Sequence, residues 1–95
     1  MDAAARIRVP EHVVYRDFGD ETVVLNLESG KYHGLNRTAA VMLETLAESP
    51  NVAIAVDRLS REFDQPRERI ERDVLDLCRV LAERELIEQH GGTRD

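Results

Sequence analysis

The chain is poor in cysteine and in aromatic residues: it has one cysteine and no tryptophan, and aromatics make up 4% of its 95 residues. A single thiol, Cys78, cannot close an intrachain disulfide or build a cysteine-based metal site, which fits a reducing compartment. No apolar run approaches the roughly 20 residues of a membrane span, and the residues after Met1 lack the apolar centre of a signal peptide. The sequence therefore predicts a cytoplasmic protein with no membrane partner.

The chain has fewer basic than acidic residues: 13 lysines and arginines and 19 aspartates and glutamates, which give a formal net charge of −6. Proteins that bind nucleic acids need a surplus of positive charge to neutralise phosphates. The composition therefore argues against a nucleic-acid partner.

Patterns typical of catalytic or metal sites are also missing. The histidines, His12, His33 and His90, have no mutual helical spacing that would aim two imidazoles at one metal ion. There is no glycine-rich phosphate loop, nucleophile elbow or dinucleotide fingerprint. Cys78 lies within an apolar helical pattern, where a thiol acts as a small hydrophobe. We predict no catalytic residue, no metal and no cofactor, and therefore no enzyme.

The length allows one domain, and 42% hydrophobic with 34% charged residues is the composition of a folded protein. Residues 1–10 are expected to be a flexible N-terminus. Residues 89–95, with the pair Gly91-Gly92 and no apolar anchor, are expected to be a disordered tail. The predicted domain therefore spans residues 11–88.

The hydrophobic period changes once along the chain, from about two to about 3.6 residues. The first third predicts strands at His12–Phe18, Thr22–Leu27 and Lys31–Leu35, separated by turns that contain glycine. Short connections favour an antiparallel meander with the third strand on an edge. An edge strand offers unpaired N–H and C=O groups to an extended peptide.

Three helices are predicted after the strands. Asn36 is a candidate N-cap for the first helix, which ends before Pro50. The second runs from about Val52 to Phe63, and the third from about Arg67 to Arg84. The predicted fold is therefore α+β: a three-stranded antiparallel sheet followed by three helices, similar to a winged helix-turn-helix.

The passage Ser29-Gly30-Lys31-Tyr32-His33-Gly34-Leu35-Asn36, together with Asp73-Val74 in the last helix, resembles the PqqD-like family. These are recognition elements for the precursors of ribosomally made, modified peptides (RiPPs). The similarity covers roughly Glu11 to Glu88, and in particular the chain resembles the free-standing form from lasso-peptide pathways. Two positions depart from the pattern: Met42 replaces a bulky aromatic, and Glu85 replaces a glycine, which would leave the end of the last helix less sharply defined.

The resemblance implies that the protein binds a leader peptide as an extra strand on the third strand, in a groove walled by the last helix. Backbone pairing would supply affinity, and apolar pockets would supply selectivity. The implied strand residues are Lys31, Tyr32, His33, Gly34 and Leu35. The implied helix residues are Asp73, Asp76, Leu77 and Val80. The opposite flank of that helix, with Leu75, Cys78 and Ala82, is the alternative wall.

The implied partners are the leader region of a precursor peptide and a leader protease on a separate polypeptide, with a macrocycle-forming enzyme as a further candidate. The domain would hold the leader without making or breaking a bond. Two other interpretations come from different classes: a DNA-binding winged-helix regulator, in which the last helix enters the major groove, and a self-associating adaptor subunit. The interleaved charges of the last helix, which leave no basic face, argue against the regulator.

Overall fold

The computed structural model describes residues 3–91, so expectations for residues 1–2 and 92–95 lie outside the described residues. The predicted α+β fold, with a three-stranded antiparallel sheet followed by three helices, is confirmed. In chain order the elements are β1 (Ala5–Arg8), β2 (Val13–Asp17), β3 (Glu21–Asn26), β4 (Tyr32–Asn36), α1 (Arg37–Glu48), α2 (Val52–Phe63), α3 (Arg67–Glu83) and β5 (Glu88–Gly91).

The main sheet has the order β2-β3-β4, with both neighbouring pairs antiparallel. Val13 lies opposite Asn26, and Leu25 lies opposite Tyr32. Within the described residues β4 pairs only with β3, so it is an edge strand as predicted. The side of β4 that faces away from β3 therefore has no strand partner among residues 3–91.

The expectation of unstructured ends is wrong for residues 5–8 and 89–91. β1 and β5 form a second, two-stranded antiparallel sheet in which Ala5 lies opposite Gly91 and Arg8 opposite Glu88. Ala5 and Ile7 are both 1% exposed, because alternate side chains of β1 point into the core. The domain therefore includes most of the segment that was expected to be flexible, and part of the expected tail.

Capping side chains mark where the first two helices begin. The Asn36 side chain accepts a hydrogen bond from the Ala39 N–H at 2.8 Å and caps α1, as predicted. Asn51 caps α2 in the same way through the Ile54 N–H. Each helix buries one apolar stripe: α1 and α2 pack against strands, and α3 packs against α2. Together they enclose a core that includes Leu35, Leu43, Leu46, Leu59, Val74, Cys78, Leu81 and Leu86.

The end of α3 is sharply defined, contrary to the expectation drawn from Glu85. Glu85 adopts the left-handed conformation with φ of 59°, and its N–H donates to the Ala82 carbonyl at 3.0 Å. The Leu86 N–H donates to the Leu81 carbonyl at 2.8 Å, which completes a Schellman motif. A residue other than glycine is strained there, so contacts around Glu85 must hold this turn in place.

The burial of β1 leads to a stability prediction. We expect Ile7→Ala to lower the free energy of unfolding by about 2–4 kcal/mol, because it removes buried methyl groups and leaves a cavity. Arg6→Ala, on the exposed face of the same strand, is the control and should change it by less than about 0.5 kcal/mol. Urea unfolding measures both. Equal stability of the two variants would show that β1 is not part of the folded core.

Candidate functional site

The free edge of β4 presents the peptide groups of Tyr32 and Gly34. The Asn26 N–H donates to the Lys31 carbonyl at 2.9 Å, so Lys31 belongs to a hydrogen-bonded pair across β3 and β4. Pairs alternate along an antiparallel ladder, which turns the peptide groups of His33 and Leu35 toward β3 as well. The groups between them therefore face away from the sheet and are available to another chain.

The side chains of β4 alternate between the two faces of the sheet. Leu35 is 1% exposed and joins the core, and His33 on the same face is half-buried. Tyr32 lies on the outer face and is 60% exposed. Gly34 has no side chain, and a Cβ built on it would meet the Glu21 carboxylate at 2.6 Å. The backbone at Gly34 is therefore open to close approach, and its one near neighbour is the end of a flexible side chain.

The C-terminal end of α3 meets this edge through Arg84. Asp73, Leu77, Val80 and Arg84 follow one another at spacings of four, three and four residues, so they share one face. At one end of that face, Arg84 Nη1 donates to the Tyr32 carbonyl at 2.9 Å. At the other end, Asp73 shares a pocket of about 270 Å³ with Thr38. We call the space between β4 and these four helix residues the edge groove.

Of the predicted helix residues, Asp73, Leu77 and Val80 share the helix face that carries Arg84. Leu77 and Val80 are half-buried, and Leu77 packs against the core. Asp73 lies at the far end. Asp76 is exposed and lies farther round the helix, where its carboxylate binds Arg79 at 3.3 Å. The role of these residues in binding stays a prediction.

The alternative wall lies on a different side of the domain. Leu75, Cys78 and Ala82 border a pocket that also contains Gln89 of β5. This flank of α3 therefore borders the small sheet, and the same pocket is lined by the predicted residue Asp76.

Asn26 connects the groove's two walls at the end that lies near Tyr32. It is 3% exposed, its amide nitrogen donates to the Glu85 carbonyl at 2.7 Å, and its oxygen accepts from the N–H groups of Glu28 and Ser29 at 2.8 and 3.0 Å. Lys31 Nζ lies 3.5 Å from the Glu85 carboxylate. The turn before β4 and the end of α3 are therefore held together.

Sequence reasoning missed Asn26 and Arg84 as residues that shape the groove. A polar residue on the core-facing side of β3, in register with buried Val24, is a signal for Asn26. For Arg84, the signal is its position four residues after Val80 and seven after Leu77. The bond to Tyr32 itself joins residues 52 positions apart, which no local pattern could indicate.

The described residues provide no group of three or more histidine, cysteine or acidic side chains that could hold a metal ion. Likewise, none of the helices between residues 3 and 91 is long and apolar enough to cross a membrane. Cys78 is fully buried, and its burial raises the pKa of the thiol to about 11. A thiol in this state is protonated at neutral pH and is a poor nucleophile.

The Cys78 thiol leads to a prediction on pH. Burial raises its pKa from the ordinary value of 9.0 to about 11, so the unfolded chain loses this proton first. The stability that this difference contributes is present below pH 9.0 and is lost as pH rises toward 11. We expect the free energy of unfolding to fall by on the order of 2 kcal/mol over that range. Urea unfolding at several pH values checks this, and a decline of equal size in Cys78→Ala would contradict it.

Comparison with known proteins identifies the family. The sequence profile described as Coenzyme PQQ synthesis protein D (PqqD) matches residues 21–87. No match was found among the curated proteins. Two solved structures are similar, each with a TM-score of 0.75. One is described as TbiB1 in complex with the TbiA(beta) leader peptide; it is 32% identical, and the match covers 88% of this chain and 98% of that chain.

The other similar structure is described as lasso peptide synthetase B1 complexed with the leader peptide. It is 26% identical, and the match covers 87% of this chain and 98% of that chain. The family profile covers more than half of this chain and includes the whole of β4 and α3. The chain therefore belongs to the PqqD family.

Proposed function

We propose that the protein binds the leader peptide of a ribosomally synthesised precursor of the lasso-peptide type, as a fourth strand on β4. The observation that carries this proposal is the free edge of β4, which turns the peptide groups of Tyr32 and Gly34 outward and is contacted at the Tyr32 carbonyl by Arg84, at the end of α3. Both similar solved structures are described as complexes with leader peptides, which supports the same kind of ligand here.

Affinity and selectivity come from different parts of the edge groove. The backbone of β4 can form hydrogen bonds with any extended peptide, so it supplies binding that depends little on sequence. Leu77 and Val80 are half-buried and share a helix face with Arg84, which contacts β4. In the proposed complex, leader side chains that point toward this face lose contact with water. Selectivity for apolar leader residues follows from that burial.

Acidic side chains add an electrostatic preference. Asp73 forms no ion pair within residues 3–91, whereas Asp76 is already bound to Arg79. Asp73 is therefore the stronger candidate to attract a lysine or arginine of the leader. Charges at an exposed rim change the association rate more than the affinity.

The protein acts as a scaffold in this proposal and has no catalytic residue. It holds the leader and presents it to a separate leader protease and to other maturation enzymes, which raises the leader's effective concentration at those enzymes. A reducing cytoplasm suits the single buried thiol, Cys78. The proposed binding residues are Lys31, Tyr32, His33, Gly34 and Leu35 on the strand, with Asp73, Leu77 and Val80 on the helix. Asp76 is not among them, because it lines the pocket of the opposite flank together with Leu75 and Cys78.

The edge of β4 can be tested by removing one outward N–H group. We expect Gly34→Pro to weaken binding about tenfold, because proline cannot donate the hydrogen bond and its ring obstructs the guest strand. The probe is a fluorescently labelled synthetic leader of the precursor peptide encoded beside this chain's gene, with a scrambled leader as the reference. Fluorescence anisotropy measures the Kd.

Gly34→Ala is the matched control. It places the same Cβ against Glu21 but keeps the N–H group, so it should bind within about twofold of the natural protein; wild-type and variant proteins are first shown to be folded by urea unfolding. Equal binding by Gly34→Pro and the natural protein would move the guest strand away from β4. Absence of binding by the natural protein would contradict the proposed function itself.

The helix wall is tested separately. We expect Leu77→Ala and Val80→Asp to weaken leader binding by about fivefold to tenfold, because they remove apolar contact area or place a charge in the groove. Leu75→Ala, on the flank that faces β5, should have little effect on the same titration. Unchanged affinity in the first two variants and a loss in the third would assign the wall to the opposite flank.

A further inference from the structure

A guanidinium group occupies one end of the edge groove. Arg84 follows the last turn of α3, and its Nη1 donates to the Tyr32 carbonyl at 2.9 Å. That carbonyl belongs to the free edge of β4, because the neighbouring pair at Lys31 bonds to β3. Arg84 therefore spans the groove and contacts one of the peptide groups that strand addition would use.

The hydrogen bond between Arg84 and Tyr32 leaves the carbonyl oxygen with a free lone pair and the guanidinium group with free N–H donors. A carbonyl oxygen has two lone pairs, so the Tyr32 carbonyl can accept from Arg84 and from a guest N–H at once. A guanidinium group has five N–H donors, of which this contact uses one. The remaining donors of Arg84 are arranged to bind a carboxylate with two parallel hydrogen bonds.

Arg84 also lacks a charged partner of its own. Within residues 3–91 it forms no ion pair. The carboxylate next to it in sequence, Glu85, is 3.5 Å from Lys31 and is held there by the left-handed turn. The groove thus ends in a positive charge that the described part of the domain does not neutralise.

We propose that Arg84 is a specificity-determining residue that binds an aspartate or glutamate side chain of the leader peptide. The inference rests on the proposed function and adds a chemical requirement to it. A leader residue paired with Tyr32 would turn its side chain to the outer face of the sheet, as Tyr32 does. The acidic residue is therefore one of the two sequence neighbours of that residue, whose side chains face α3.

Titration of the labelled leader against natural protein and Arg84→Gln tests the proposal. We expect Arg84→Gln to raise the Kd about tenfold, because it loses the charge and the paired hydrogen bonds. Arg79→Gln is the matched control: Arg79 lies on the same helix, is exposed and is bound to Asp76 outside the groove. It should leave the Kd unchanged.

A set of leaders in which each acidic residue is replaced in turn by its amide locates the partner. Replacing the acidic residue that contacts Arg84 should raise the Kd of the natural protein about tenfold, as Arg84→Gln does. The same replacement should leave the Kd of Arg84→Gln unchanged, because the contact is already lost in that variant. Arg84→Glu should bind the leader with lysine at that position better than it binds the unaltered leader. A purely structural role for Arg84 would not produce this exchange of preference.

The outcomes separate the two hypotheses. If the natural protein binds the leader and Arg84→Gln binds it equally well or more tightly, Arg84 is not a recognition residue and leader binding stands. Equal losses by Arg84→Gln for all leaders, whatever their acidic content, also overturn the inference. If the natural protein binds no leader, the proposed function fails, and the inference fails with it.

Discussion

The side-chain amide of Asn26 is the interaction on which the groove depends. It is buried, and all of its contacts reach backbone groups: one carbonyl at the end of α3 and two N–H groups in the turn that leads to β4. A buried amide without these partners would cost about 1–3 kcal/mol, so the side chain has one favourable arrangement. That arrangement fixes the end of α3 against the turn that leads into β4.

The strained turn at Glu85 follows from the same constraint. A left-handed residue other than glycine is disfavoured, but here its carbonyl is the acceptor for Asn26, and its side chain lies next to Lys31. The chain can then pass from α3 into the buried pair Leu86 and Ile87 without a loose segment. A peptide-binding surface that is rigid before binding loses less conformational entropy when the peptide binds. A firm connection between the end of α3 and the turn before β4 therefore favours affinity.

Much of the fold could be predicted because its signals are local. The meander and the helices follow from alternation, from turns and from Asn36, whose side chain caps α1 as expected. The second sheet could not be found in this way. Its strands are four residues long and lie at opposite ends of the chain. The alternation of Ala5 with Ile7 was visible, but its partner strand, with Gln89 and His90, has little strand propensity of its own.

In the candidate site, too, local patterns could be predicted and contacts between distant residues could not. Tyr32 to Leu35 could be assigned to an edge from the order of the strands. Leu77 and Val80 were predicted as wall residues from the family resemblance, because the helical periodicity alone shows only which side chains share a face. Arg84 and Asn26 act through contacts between residues that lie far apart in sequence. Sequence patterns report which face a side chain occupies, but they do not report which distant backbone group it reaches.

The pairing of β1 with β5 has a mechanical consequence. Ala5, at the outer end of β1, lies opposite Gly91, at the outer end of β5. Tension applied to both ends of the chain would therefore load the hydrogen bonds of this sheet one pair at a time, like a zipper, and not all together in shear. The small sheet would open at low force and spare the main sheet, the helices and the groove until Ala5 and Ile7 had been pulled out of the core.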